Sequence, residues 1–334
     1  MPSVGIVILN YNGRSYLEEF LPALIDHSQP FEVIVADNAS SDDSLDYLQR
    51  SFPTTRTIVL SENRGFAGGY NQALSQVETD YYVLVNSDVK VTPGWCEPLI
   101  RFLEDHAEYG ACQPKILSYD EPHKFEYAGA AGGFIDILGY PFCRGRVFNE
   151  LEKDSGQYNE PKDIFWASGA CMAIRSNLFH ALGQFDEDFF AHMEEIDLCW
   201  RLQSQGYLVR CLPESVVFHV GGGTLSKSNP KKTYLNFRNN LSVITKNLPL
   251  PTLLWVLPLR LGLDVVAAMV FWRTNSFGHF RAVMGAIRDY IFSLPGIIKE
   301  RKKIKTKSKQ RLSQLSVVYE FFIKKNRTFK DLVH

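Results

Sequence analysis

The chain has 334 residues, 45% of them hydrophobic and 22% charged, which supplies a sizeable core and excludes intrinsic disorder. Its formal net charge is −1, yet Lys299 to Arg311 holds eight Lys/Arg and one Glu, leaving 28 basic and 36 acidic residues elsewhere. An acidic body argues against a nucleic-acid track, and the basic stretch points to an anionic surface, a solvated basic linker being the plainer alternative.

The N-terminus runs directly into the apolar Val4–Leu9, a strand-length segment with no basic flank or cleavage site, so no signal peptide is read there. Residues 15–25 have helical spacing, with Tyr16, Leu17, Phe20, Leu21 and Leu24 on one side. Strand-like runs follow at 31–36, 57–60 and 81–85, with helical stretches at 41–50 and 68–76 between them. Unbroken apolar strands alternating with helices predict an α/β protein with a mostly parallel central sheet flanked by helices. In such sheets ligands bind beyond the carboxyl ends of the strands. That rule singles out Asn10-Tyr11-Asn12, Asp37-Asn38 and Asn86-Ser87-Asp88, the polar clusters that follow strands.

Asp88 is placed to hold a divalent cation against a diphosphate, although Asn-Ser-Asp is also ordinary turn chemistry. Asp37 can accept from a base or ribose, while Ser40 and Ser41 can cap a helix. The stretch from Glu62 to Asn71 is a glycine-rich turn opening a helix, which suits close approach by phosphate or ribose. It is neither the dinucleotide fingerprint nor a P-loop.

From about Cys112 to Tyr158 the pattern is loop-rich, and a mixed sheet with a long loop near the site is expected. Strand character returns at 163–175 and 207–220. A helix at 194–205 opens with Glu194, Glu195 and Asp197. Acids at a helix start complement its dipole. Three together also fit a general base whose pKa is raised by its neighbours and by burial. His219 ends a strand-like run before Gly221-Gly222-Gly223-Thr224, where it serves either structure or a ligand. The six cysteines show no CxxC and no close His/Cys pattern, so a structural zinc is not expected and the thiols are expected free in the cytosol.

Beyond Ser228 the composition shifts. Residues 247–259 carry no charge, Arg260 and Asp264 interrupt, and 265–272 are apolar again. A spanning helix needs about 20 apolar residues, and each mid-membrane Arg or Asp costs about 3 kcal/mol. The segment is expected to lie in the membrane interface ahead of the basic stretch, with one span or a soluble helical hairpin as alternatives.

Taken together, these residues resemble glycosyltransferase family 2, of GT-A fold, and within it the non-processive, rhamnosyltransferase-like enzymes of bacterial surface polysaccharides. The match covers roughly Ser3 to Leu241. The resemblance implies a catalytic domain at 1–241 and a helical, basic, membrane-associating region at 242–334. It implies donor binding by Leu9, Asn10, Tyr11, Asp37, Asn38, Asn63, Arg64, Gly65, Gly68, Asn71, Asn86 and Ser87. Asp88 stands in the place of the D-x-D metal carboxylate, with His219 completing the site for Mn²⁺ or Mg²⁺. Glu195 is implied as catalytic base, and Trp166, Gly169, Glu194 and Arg238 as the acceptor side. The sequence departs at Asn86, where the family has an Asp, and at Glu195, where Asp is usual.

The implied reaction is an inverting transfer from a nucleotide-diphospho-sugar to a hydroxyl of a glycan or lipid-linked acceptor, on the cytoplasmic face of a membrane. A processive synthase would want several spans and a Q-x-x-R-W motif; a sugar nucleotidyltransferase would want a basic glycine-rich loop after the first strand. A catalytically weak, membrane-tethered nucleotide-sugar binding module is the alternative from another class.

Overall fold

The computed structural model describes residues 2–221, 229–304 and 312–332. Gly222, Gly223 and Thr224, and positions 305–311 of the basic stretch, lie outside the described residues. The first half alternates β1 (Val4–Asn10), α1 (Arg14–His27), β2 (Glu32–Asp37), α2 (Ser44–Ser51), β3 (Arg56–Val59), α3 (Gly65–Leu74), β4 (Tyr81–Asn86), β5 (Val89–Val91) and α4 (Glu97–Asp105). There follow β6 (Tyr109–Ser118), the short β7 (Gly133–Ile135), β8 (Pro141–Cys143), β9 (Arg146–Val147) and β10 (Glu150–Leu151), then β11 (Lys162–Ile164), β12 (Cys171–Arg175), α5 (Ser176–Ala181), α6 (Glu194–Ser204) and β13 (Leu208–His219). The chain continues with α7 (Pro230–Asn247), α8 (Leu250–Arg273), α9 (Phe277–Arg301), a π-helical turn at Tyr319–Lys324 and α10 (Phe329–Leu332).

The main sheet has the order β11-β13-β6-β12-β4-β1-β2-β3, with β5 paired to β13. The β4-β1-β2-β3 half is parallel, as the unbroken apolar runs require. The other half is mixed, because β12 runs antiparallel to both β4 and β6. Strand alternation sorts side chains to two cores: Val4, Ile6 and Ile8 of β1 pack with α1, α2 and α4, whereas Val7 faces Ala67, Tyr70 and Leu74 of α3. The parallel strands and β12 bring Asn10, Asp37, Asn86 and Ala170 to one edge, where the site lies.

Two departures from the sequence pattern have local causes. The ten-residue β6 is interrupted in sequence by Gln113, Pro114 and Lys115, all of them buried. Gln113 bonds the Pro114 carbonyl and the Ser168 amide, and Lys115 pairs with Asp154 at 2.6 Å. The strand-like run at 163–175 is in fact two strands, and its middle, 165–170, crosses between them so that 168–170 reaches the cleft.

The expected division at 241/242 falls inside α7, which runs unbroken from Pro230 to Asn247. Helices α7 and α9 pack closely, and α8 returns along them. Past the basic stretch the chain re-docks on the catalytic part: Val317 N–H donates to buried Asp136 at 2.8 Å, and Phe329 packs on Phe134 and Phe142.

The two charges inside α8 face protein. Arg260 and Asp264 are 2% and 1% exposed and pair at 3.5 Å. Arg260 also donates to the Leu138 carbonyl at 3.0 Å and lies 3.6 Å from the Tyr140 ring centroid. Removing one partner would strand the other charge in the core. Arg260→Ala should therefore cost about 3–5 kcal/mol of stability, read as a lowered urea midpoint, while a Met/Leu replacement of both residues should cost less.

Candidate active site

A cleft of about 390 Å³ opens at the carboxyl edge of the sheet. Leu9, Tyr11, Asn38, Asn63 and Gly65 line one end, Asn86, Ser87, Asp88 and His219 the floor, and Gly169, Glu194 and Glu195 another wall. Asp88 and Glu195 thus share one cavity.

At the nucleotide end, Tyr11 follows β1 and is 36% exposed, free to stack on a planar group. Asn38 donates to Asn63 Oδ1 at 3.1 Å and to the Gly65 carbonyl at 2.9 Å, bracing the turn before α3. Asn10 and Asp37 are fully buried and do not line the cleft: Asn10 Nδ2 donates to Asp37 at 3.0 Å, and Asp37 also accepts from the Ser40 amide at 2.8 Å. They knit the two strand ends behind the cleft wall.

The helix start at α3 is not open to phosphate. The Phe190 carbonyl accepts from the amides of Phe66 at 2.6 Å and Ala67 at 3.2 Å. Gly65 is required there, since φ is +69° and a Cβ would meet that carbonyl at 2.3 Å. Gly68, Asn71 and Arg64 likewise face protein or solvent. Asn71 donates to the Phe185 carbonyl at 2.9 Å, Gly68 packs against the Arg64 side chain, and Arg64 pairs with Glu62 at 3.0 Å.

On the floor, Asp88 Oδ1 lies 3.1 Å from His219 Nε2. Glu126, which the sequence reading missed, lies 3.3 Å from His219 Nδ1 and is 5% exposed. Its carboxylate accepts from the Ala128 amide, and the close approach of Gly221, where a Cβ would stand 2.7 Å from Glu126 Oε1, also fixes it in place. Nothing in the local sequence marks Glu126, because it comes from an irregular loop brought in by tertiary packing. Burial opposes the charge on His219, but Glu126 and Asp88 outweigh it and push its pKa up to about 10. For both carboxylates burial works upward and the imidazolium still carries them below their usual range.

Among the described residues no three His/Cys/Asp/Glu side chains are arranged to enclose a metal ion. The pair Asp88 and His219, one hard oxygen and one imidazole nitrogen that would give up its proton to bind, fits a divalent cation that takes its remaining ligands from phosphate and water. Glu126 on the far nitrogen is the orienting partner usual for a metal-binding histidine.

On the base wall, α6 starts at Glu194 after three positive-φ residues close in sequence, Phe190 (62°), His192 (70°) and Met193 (77°). The loop is tied from α7: Asn239 Nδ2 lies within 3.0 Å of the carbonyls of Phe189, Ala191 and His192, and Arg238 donates to Asp188 and Phe189. Arg238 therefore acts behind the loop and does not line the cleft. Trp166 is also outside it, buried with its indole N–H on the Phe134 carbonyl at 3.0 Å. Gly169 is at the wall, against Phe66 and Glu195.

The three acids of α6 divide by surroundings. Asp197 is fully buried and takes bonds from Arg201 (2.8 Å), Lys246 (3.1 Å) and Asn247 (2.8 Å). Burial raises its pKa, but Lys246 and Arg201 overcome that and hold it at about 2. Glu194 and Glu195 have no such cation. Burial pushes Glu195 up to about 7, and burial with Glu195 and Asp197 nearby pushes Glu194 well above the carboxylate range. One oxygen of each, Oε2, is closed from solvent and makes no hydrogen bond among the described residues. Glu195 is a carboxylate poised to take a proton near neutrality.

The sheet, mixed in one half and parallel in the other with a cleft at its carboxyl edge, has the architecture of a GT-A fold. The chain belongs to glycosyl transferase family 2, whose signature matches residues 5–183. It is 27% identical over 233 residues to an N-acetylglucosaminyl-diphospho-decaprenol L-rhamnosyltransferase of Mycobacterium tuberculosis, covering 64% of this chain and 75% of that one. Rhamnosyltransferase WbbL of Escherichia coli is 23% identical over 225 residues, covering 65% and 83%. In fold it is similar to a Pyrobaculum calidifontis mannosyltransferase solved with GDP-Man and Mn²⁺ (TM-score 0.53, 14% identity, 91% and 85% covered). It is also similar to GalNAc-T7 solved with UDP, GalNAc and Mn²⁺ (TM-score 0.56, 15% identity, 73% and 48% covered).

Asp197 has a native pKa below its unfolded value of about 3.9, so its stabilisation is present above about pH 4 and fades as pH falls toward 2. Asp197→Asn should cost about 3–5 kcal/mol at pH 7, because Lys246 and Arg201 lose their counter-charge. The difference from the parent protein should shrink in urea titrations at pH 3.

Proposed function

We propose that the protein is an inverting, divalent-metal-dependent hexosyltransferase that carries a sugar from a nucleotide-diphospho-sugar to a hydroxyl of a lipid-linked glycan in surface polysaccharide synthesis. The observation that carries it is that Asp88 and Glu195 line one cleft, the first beside His219 and the second with its pKa lifted to about 7. A cation at Asp88 and His219 would offset charge on the departing diphosphate. Tyr11 stacks the base, and Asn38 and Asn63 hold the turn around it. Glu195 takes the proton of the acceptor hydroxyl as that oxygen forms its bond to the anomeric carbon from the side opposite the leaving group. One displacement of this kind inverts the anomeric configuration and uses no enzyme nucleophile.

The lipid-linked acceptor is supported by the mycobacterial relative, whose name specifies a diphospho-decaprenol, and by the surface of α8. This helix of 24 residues is long and apolar enough to cross a membrane. Its buried stripe is narrow (Leu253, Val256, Arg260, Asp264, Ala268), while Leu254, Trp255, Leu259, Val266, Met269, Val270 and Trp272 are exposed. Arg260 and Asp264 sit halfway along α8 on the protein side, and a span would draw that pair away from Tyr140 and Leu138. An interfacial helix keeps the pair buried and gives the apolar face to lipid, with Lys299, Lys302 and Lys303 toward anionic headgroups. The reading places the enzyme at the cytoplasmic face of a membrane.

Glu195→Gln should lower turnover by about 10²–10⁴-fold with little change in donor binding. The acid limb of kcat/KM in the parent enzyme should fall near pH 7, since Glu195 must be ionised to act. An acid limb near pH 4, or a Gln variant of ordinary turnover, removes the base assignment. Asp88→Asn should abolish the Mn²⁺-dependent thermal stabilisation by UDP-, GDP- or dTDP-sugars.

A further inference from the structure

Two lysines that the reaction above does not use, Lys231 and Lys232 in the first turn of α7, line the cleft together with Phe190, Ala191 and His192. Lys231 Nζ lies 4.9 Å from the Phe190 ring centroid, and Lys232 is close enough to His192 to depress its pKa. Burial is the larger cause of that depression, and together they take His192 down to about 4, so its ring is neutral at physiological pH. Its Nε2 is closed from bulk solvent and makes no hydrogen bond among the described residues. Lys231, Lys232, Glu194 and Glu195 thus line one cleft.

The same turn of α7 abuts the closed end of the α8–α9 hairpin. Thr233 Oγ1 and His279 Nδ1 are 2.8 Å apart, Gly278 packs on Pro230, and the His279 ring stacks on Phe271 at 5.3 Å. At that end Trp272 and Phe277 are 55% and 48% exposed, and Arg281 lies 4.7 Å from the Phe277 ring centroid. Positive charge at the cleft rim and aromatic surface at the hairpin end are therefore adjacent. A ligand that satisfies both is an anion attached to a hydrocarbon chain.

Resting on the acceptor class of the preceding section, we propose that Lys231 and Lys232 bind the diphosphate of a polyprenyl-diphosphate-linked acceptor, while the first isoprene units run over Trp272 and Phe277 toward the membrane. Lysine suits the task, as a point charge that follows a flexible diphosphate without demanding one geometry.

The test uses the full chain in detergent micelles, with EDTA present so that diphosphate cannot bind through a divalent cation. Farnesyl diphosphate serves as the short-chain probe, with inorganic diphosphate and farnesol as its two halves. Farnesyl diphosphate should bind more tightly than either half. Lys231→Gln/Lys232→Gln should weaken it at least tenfold, with Lys→Arg at both positions retaining most of the affinity. Trp272→Ser/Phe277→Ser should weaken farnesyl diphosphate and leave inorganic diphosphate unchanged. The proposal is overturned if the Gln pair binds farnesyl diphosphate like the parent, or if that pair instead loses Mn²⁺-dependent nucleotide-sugar binding, which would assign the lysines to the donor. Absence of nucleotide-sugar binding by the parent protein would instead count against the transferase reading itself, whatever the lipid probe does.

Discussion

The base wall depends on a buried charge. Asp197 sits two residues beyond Glu195 on α6, and its carboxylate is gripped by Lys246 and Asn247 from α7 and by Arg201 from its own helix. Lys246 also reaches Asp186 at 2.7 Å, ahead of the loop that leads into α6. In a low-dielectric interior such a cluster is stable only when every member is paired, so it fixes the relative position of the helices it joins. The contrast in pKa along one helical turn follows: the acid with two cations is driven down, and the two without any are driven up by burial.

The loop ahead of α6 transmits that position to the donor side. Phe190, His192 and Met193 hold positive φ, a conformation that costs non-glycine residues free energy and persists only when surroundings enforce it. Asn239 and Arg238 enforce it by occupying the loop's carbonyls from behind. The one carbonyl turned forward, that of Phe190, caps α3 beneath the Asn63–Gly65 turn. The Asn63–Gly65 turn and the Glu195 carboxylate are thus two ends of one constrained segment.

Much of this was legible in the sequence because it is local. Continuous apolar runs marked β1, β2 and β4, and the polar clusters after them fall at the edge of the sheet where the cleft opens. What was not legible is the work of tertiary packing. Asp37 and Asn10 stand at the expected edge, yet they turn toward each other and not into the cleft, and no spacing rule separates those outcomes. Glu126 comes from a segment with no periodicity. The acidic trio of α6 presents three equivalent carboxylates in sequence, and only Lys246, 49 residues downstream, tells Asp197 apart. Arg238 shows the reverse: a motif residue whose contribution is to loop geometry and not to a ligand.

The charges in α8 follow the same logic and bear on how the protein meets lipid. Read along the chain, Arg260 and Asp264 interrupt an apolar stretch and count against insertion. In three dimensions they mark the side of the helix that must stay on protein, since neither can be moved into hydrocarbon without losing Tyr140, Leu138 and each other. That fixes the rotation of α8 about its axis and leaves a broad apolar face that no described residue covers. An exposed apolar face of that width marks an interaction surface. Because α8 and α9 close beside the first turn of α7, that apolar surface ends where the cleft begins. Under the proposed function, a polyprenyl acceptor held in a bilayer then has only its head group to lift toward Glu195, and its chain need not leave the membrane.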